Sequence, residues 1–450
     1  MSNALKKELT LSQIIAMAAG GMIAAWMVEI RYWFELTGPG SLICLLACGV
    51  ILLPLCLIYT EMTAMLPYAG GENIWTSNAF NWDFGWLVGW CMFLLYLSAM
   101  PNVTIGISTM VSYLYPLDFM GLKILACIIL CIWFVMVNLE IKHLAKLQDI
   151  MFWGTLVISI ITSMIFIFSD EWRWSNISPW FPKGAAGFSA GLGLLMFKFI
   201  GFDLIAVLVE ESNFSKKKII IGFIGSILCT FLVYGLAILG IAGIVSQEWI
   251  AQADIVDPRV ADILGMHWLA LVIVIMGAIT CITTLSGFWL AASRTMFGAA
   301  VQRQVPQKLA LINRYGQPWV ANTLVFICSL YFCIMAPEAW INYIFTITVG
   351  AAGIIYLSVA LSFLKLRKTH PEWPRPYSCP WGTFMGIESI LFCVFCLYQC
   401  VKAMDAATWV ALGIYFAIGA LLYVYAKYKQ KTDPAEWRPF IPSPDNSQTE

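Results

Sequence analysis

Apolar residues run along this chain in long blocks parted by short polar connections, near residues 11–35, 41–66, 84–114, 121–139, 147–168, 186–211, 219–245, 266–300, 319–336, 339–364, 384–401 and 408–426. Most exceed the roughly 20 residues that carry a helix across a bilayer, so the pattern predicts twelve membrane-spanning helices. Two blocks are interrupted by glycine near their middle: Ala18-Ala19-Gly20-Gly21-Met22-Ile23-Ala24-Ala25 in the first and Phe199-Ile200-Gly201-Phe202-Asp203 in the sixth. Breaks at matching places of two halves point to an inverted repeat built to move something small and polar. Unwinding a helix at midplane frees backbone N–H and C=O groups to hold such a solute.

Composition strengthens the membrane reading. Of 450 residues, 60% are hydrophobic and 12% charged, against roughly 25% charged in a soluble domain. Mean hydropathy is +0.80. The formal net charge is zero, which leaves no global field to draw nucleic acid. No small-residue cleavage pattern follows the first block, so the N-terminus is expected to stay in place. Lys6, Lys7, Lys142, Lys146, Lys216, Lys217, Lys218, Arg294, Arg303, Lys308, Arg314, Lys365, Arg367, Lys368, Arg375, Lys427, Lys429, Lys431 and Arg438 fall on the side of both termini, and Lys123, Arg173, Lys183, Arg259 and Lys402 on the other. That bias predicts a multi-pass protein of the inner (cytoplasmic) cell membrane with N- and C-termini cytoplasmic.

Thirteen of the 14 cysteines lie inside the apolar blocks and Cys379 in a cytoplasmic loop, which leaves no extracellular disulfide framework. Cys393 and Cys396 lack the second ligand pair a zinc site needs, and no metal is assigned. His143, His267 and His370 sit in loops or at block ends, away from any midplane relay. No HExxH, P-loop or Asp-rich diphosphate motif occurs, which argues against a protease, an ATP-driven pump or another membrane enzyme and calls for no cofactor. Energy is then expected from a gradient or an exchange partner.

The motifs in order carry a resemblance. Leu11-Ser12-Gln13-Ile14-Ile15 through Gly21-Met22-Ile23 is followed by Gly38-Pro39-Gly40, Tyr59-Thr60-Glu61-Met62, Leu66-Pro67-Tyr68-Ala69-Gly70-Gly71-Glu72 and Gly85-Trp86-Leu87-Val88-Gly89-Trp90. Later come Phe199 to Asp203 with Glu210-Glu211, Ser293-Arg294, then Pro306, Asn313, Gly316 and Pro318, and Arg375-Pro376-Tyr377. Over nearly the whole chain this resembles the amino acid, polyamine and organocation transporter superfamily, in its amino acid permease branch. The resemblance implies an all-α membrane protein with 12 transmembrane helices in a 5+5 inverted-repeat fold, helices one and six broken, plus two C-terminal helices. It would form a single domain over 1–427, with repeats at about 11–168 and 186–364, extra helices at about 384–426 and a cytoplasmic tail at 428–450.

The resemblance also implies a substrate site between the breaks, where a carboxylate rests on freed amides and the helix dipole beyond them. Gly20, Gly21, Ala24, Ala25 and Gly201 are its expected backbone. The family's usual Gly-small-Gly here reads Ala24-Ala25-Trp26, so Trp26 is expected to fill the cradle and to stack on a cation. Glu29 is read as a ligand, or as a partner of Arg31. Lys198 has three open readings: an ion pair with Glu29 or Asp203, an internal cation replacing a coupling ion, or a direct substrate contact. Phe197 aligns with a gating aromatic, Tyr96 and Phe288 are candidates for an aromatic cage, and the sign of Asp203 suits amines. Glu61, Glu210 and Glu211 are read as structural. The hydroxyls of Thr283, Thr284 and Ser286 are read as back-bonding to carbonyls rather than holding sodium. The expected function is a secondary active transporter of an amino acid or small amine-bearing solute by alternating access, with either a coupling proton or an exchange substrate. A polyamine or amine exchanger, and a non-transporting receptor that keeps the carrier fold, stand as alternatives.

Overall fold

The computed structural model describes residues 7–24, 26–139 and 141–445, with the side chains of 141–144 left aside. The first crossing is two half-helices, α1 (Leu11–Met22) and α2 (Trp26–Thr37). A capping box starts it: the Thr10 hydroxyl accepts from the Gln13 amide while the Gln13 side chain accepts from the Thr10 amide. Then come α3 (Ser41–Met65), the short α4 (Glu72–Ala79), α5 (Trp82–Leu114), α6 (Phe119–Val137) and α7 (Ile141–Ile167). The sixth crossing is broken as well. It runs through α8 (Gly184–Leu194), a 3-10 turn at Leu195–Phe199, an irregular stretch at 200–203 and α9 (Leu204–Leu208).

The second half continues with α10 (Ile219–Ala242), two short helices α11 (Gln247–Gln252) and α12 (Val256–Ile263), α13 (His267–Val301), α14 (Trp319–Met335) and α15 (Trp340–Thr369). Two more crossings, α16 (Gly382–Ala403) and α17 (Ala406–Thr432), and a last turn α18 (Pro434–Trp437) complete it. The twelve crossings match the apolar blocks, and the break in each half falls at the predicted place. α17 extends to Thr432, and α18 is anchored by buried Trp437 against Tyr425.

Layering follows from which faces are apolar. Most of α5, α13 and α15 is buried and packs around the two broken crossings. The outer helices expose continuous apolar stripes, including Met120, Ile124, Ile128 and Ile132 on α6, Ile387, Leu391 and Val394 on α16, and Val410, Ile414, Leu421 and Val424 on α17. Such stripes are stable only against lipid, so the ring of outer helices marks the hydrocarbon zone.

One end of the bundle is sewn together by buried charge. Glu61 accepts from Arg367 (3.0 Å), Arg375 (3.1 Å) and the Cys379 amide (2.7 Å). Arg294 donates to Glu211 at 2.9 and 3.2 Å, and Glu210 accepts from the Ala69 amide at 2.6 Å. All three carboxylates are thus engaged by the protein itself. At the opposite end α11 and α12 fold over α2 as a lid.

Candidate functional site

The first crossing breaks because its chain turns out of helix at Ile23, whose φ of −81° and ψ of 72° end α1. The broken ends find a partner in Tyr234 of α10. Its hydroxyl accepts from the Ala24 amide at 3.2 Å and donates to the Met22 carbonyl. Thr284 of α13 closes the other side by donating to the Gly20 carbonyl at 2.6 Å. Groups freed by unwinding are thus satisfied by two hydroxyls from neighbouring helices, as burial demands.

The sixth crossing opens at Gly201, with a φ of +127° that L side chains rarely adopt. A Cβ there would meet the Met22 nitrogen at 2.9 Å, so the two breaks touch through backbone. Gly21 makes the same approach from its side, where a Cβ would sit 2.6 Å from Leu204.

Between the breaks lies a small cavity of about 10 Å³, room for one water. Gly21, Met22, Ala24, Ala99, Asn102, Phe197, Lys198, Ile200, Thr284, Phe288 and Thr348 line it, and all are buried. Lys198 is its charged wall. The ammonium donates to the Glu29 carboxylate, both side chains being essentially without solvent exposure. Four rings surround that ammonium: Phe197 at 4.7 Å, Tyr234 at 5.1 Å, Trp33 at 5.3 Å and Phe345 at 5.8 Å. Asn102 donates to Glu29 at 2.7 Å, and its own carbonyl oxygen, buried, has no hydrogen-bond partner among the described residues.

Of the residues expected at the site, Gly21, Ala24, Phe197, Lys198 and Phe288 line the cavity and Glu29 stands behind the lysine. Gly20 and Gly201 shape its backbone. Ala25 lies outside the described residues. Trp26 is buried and does not line the cavity: it begins α2 and donates to Asp257 of the lid at 3.3 Å, with its ring edge-on to Tyr234 at 6.3 Å. Tyr96 and Asp203 lie one layer away from the cavity lining. Tyr96 donates to Asp203 at 2.9 Å, the other carboxylate oxygen takes the Gly201 amide at 2.8 Å, and the Tyr96 ring touches Phe288 at 5.7 Å. Asp203 is therefore engaged by the protein rather than turned toward a solute. Glu29 pairs with Lys198, which settles its choice against Arg31.

Asn102, Tyr234 and Thr348 went unnoticed in the sequence. Asn102 carries a visible signal, an amide directly after Pro101 in the middle of an apolar block. Tyr234 carries none, being one of 17 tyrosines. The hydroxyls weighed as sodium ligands are mostly committed: Thr283 donates to the Thr280 carbonyl at 2.7 Å and Thr284 to Gly20, while Gln148 donates to the Thr283 carbonyl at 2.7 Å.

Two broken helices crossing at a buried polar cavity, within twelve spans, define a membrane carrier fold. The amino acid permease family model matches residues 9–431, and the chain belongs to that family. It is similar to a branched-chain amino acid permease of Bacillus subtilis (strain 168), 24% identical over 95% of this chain and 94% of the relative. An aspartate-proton symporter of the same organism is 22% identical over 95% of this chain and 85% of its own length. A gamma-aminobutyric acid permease from that organism is 23% identical over 82% of each.

Proposed function

We propose that this permease is a secondary transporter that carries an amino acid with an uncharged, apolar side chain across the cytoplasmic membrane by alternating access, with both termini on the cytoplasmic side. The observation that carries the reading is the Lys198–Glu29 ion pair, buried in the wall of a small cavity between the two breaks. A buried charge is costly unless matched. A zwitterion brings a carboxylate for Lys198 and an ammonium for the free carbonyl of Asn102, so it enters without leaving either unmatched. The remaining lining of Gly21, Met22, Ala24, Ala99, Phe197, Ile200 and Phe288 suits an apolar side chain. The cavity, at about 10 Å³, must widen to admit such a solute.

A polyamine or simple amine is served less well. The aromatic cage that would attract it already holds the Lys198 ammonium, and the carboxylate beside it is paired. A thermal-shift series on purified protein tests the choice. Leucine, valine and other neutral amino acids are expected to raise the melting temperature in proportion to ln(1 + [L]/Kd), and putrescine to leave it unchanged. Stabilisation by putrescine alone would overturn the reading.

A further inference from the structure

A second set of buried polar groups lies between the cavity and the cytoplasmic end of the bundle. Glu72, the first residue of α4, is fully buried, and neither of its carboxylate oxygens has a hydrogen-bond partner among the described residues. Its place is set by the glycines before it: a Cβ on Gly71 would meet the Val207 side chain of α9 at 3.2 Å, and one on Gly70 would meet the Gly298 Cα of α13 at 3.2 Å. Asp203, also fully buried, belongs to the same packed cluster: Tyr59 packs on Trp75 of α4 at 5.3 Å and on Phe202, the residue before Asp203, at 4.9 Å. Tyr356 packs on Tyr59 at 5.7 Å; the hydroxyls of Tyr59 and Tyr356 are buried without a hydrogen-bond partner among the described residues, while Tyr96 donates to Asp203.

The charge count of this chamber does not balance. The elements packed around it contribute Tyr59 and Cys56 from α3, Tyr96 from α5, Tyr356 from α15 and Cys393 from α16. All are neutral groups. The nearest helices do carry arginines, but Arg294 is bound to Glu211 and Arg367 and Arg375 to Glu61. Among the described residues, then, no lysine, arginine or histidine forms an ion pair with Glu72 or Asp203. Two buried carboxylates so placed cannot both stay ionised without a cation. The rings around them are closely packed, Tyr59 on Phe202 at 4.9 Å and Phe202 on Tyr356 at 5.2 Å, which suits the smallest cation.

We propose that Glu72 and Asp203 together hold one proton and form the coupling site of the transporter. This rests on the transport reading above. An O–H bond forms on one carboxylate with a proton taken from water on the outer side, and breaks when the cytoplasmic end opens and water there accepts the proton. Tyr59 and Tyr356 are placed to bond the carboxylate that remains.

Two experiments separate this proposal from the transport reading. Infrared spectroscopy of purified Asp257→Asn protein, which lacks the buried lid carboxyl, is expected to show the C=O stretch of a buried protonated carboxyl, lost when Glu72→Gln is added because Asp203 alone is satisfied as a carboxylate by Tyr96 and the Gly201 amide. Absence of that band in the Asp257→Asn protein, or its persistence after both Glu72→Gln and Asp203→Asn are added in turn, would overturn the proposal whatever the protein transports. In proteoliposomes, an alkaline interior should drive radiolabelled leucine to about tenfold accumulation per pH unit for one proton. Glu72→Gln should exchange leucine but not concentrate it. Equal accumulation by Glu72→Gln, or accumulation driven by a sodium gradient in place of the pH gradient, would refute the proton site. Absence of leucine transport by wild type would count against the transport reading alone, with the infrared result left to decide the proton.

Discussion

Lys198 stands just before the sixth crossing unwinds and Glu29 in the first turn after the first crossing resumes, so their ion pair joins the two inverted repeats across the site. Neither charge is supported by solvent, and each is what keeps the other from being an uncompensated ion in the bundle.

Breaking the pair from one side is therefore expected to cost more than deleting it. Lys198→Met should destabilise the purified protein by about 3–5 kcal/mol, whereas Lys198→Met combined with Glu29→Leu should recover much of that loss. Thermal unfolding of the three proteins measures it. Equal melting temperatures for single and double variants would mean the charges are not coupled.

Tyr234 holds both lips of the first break through one hydroxyl. Tyr234→Phe keeps the ring packed on Trp33 at 5.2 Å and removes one hydrogen bond from each lip, while the Ala24 amide still donates to the Met22 carbonyl at 2.9 Å. The expected loss is about 0.5–1.5 kcal/mol, read as a lower melting temperature with little change in expression. An unchanged melting temperature would show that the break needs no brace.

The lid carries a titratable latch. Burial pushes the Asp257 carboxyl from its ordinary 3.8 up to about 7, against the opposing hydrogen bond from Trp26. The folded protein thus keeps a proton that the unfolded chain releases, and stability falls as pH rises between those two values and levels off above about 7. Asp254 with Arg259, and Asp262 with His267, are exposed or half-exposed pairs on the same lid and contribute little. The melting temperature of wild type should drop between about pH 5 and pH 8 more than that of Asp257→Asn. Parallel pH profiles would dismiss the latch.

Much of this was legible before the structure. Block length gave the crossings, and two glycine-bearing interruptions gave the breaks, because lipid tolerates irregular backbone only where protein covers it. The ion pair was among the readings left open for Lys198, since a buried ammonium needs a counter-charge. Side-chain direction beyond the first break was not legible. Helical phase is lost where α1 ends at Ile23 and before α2 begins at Trp26, so nothing in the spacing told that Trp26 points to the lid while Glu29 turns inward. Nor could spacing show that Asp203 is spent on Tyr96 and on the amide of Gly201.

The central claim is that Lys198 receives the carboxylate of a zwitterionic amino acid. The most direct measurement is the initial rate of radiolabelled leucine uptake into proteoliposomes holding equal amounts of wild type or Lys198→Met. Loss of a charge-assisted hydrogen bond should lower that rate about tenfold or more, from a saturable wild-type value. Uptake by Lys198→Met at the wild-type rate would contradict the account.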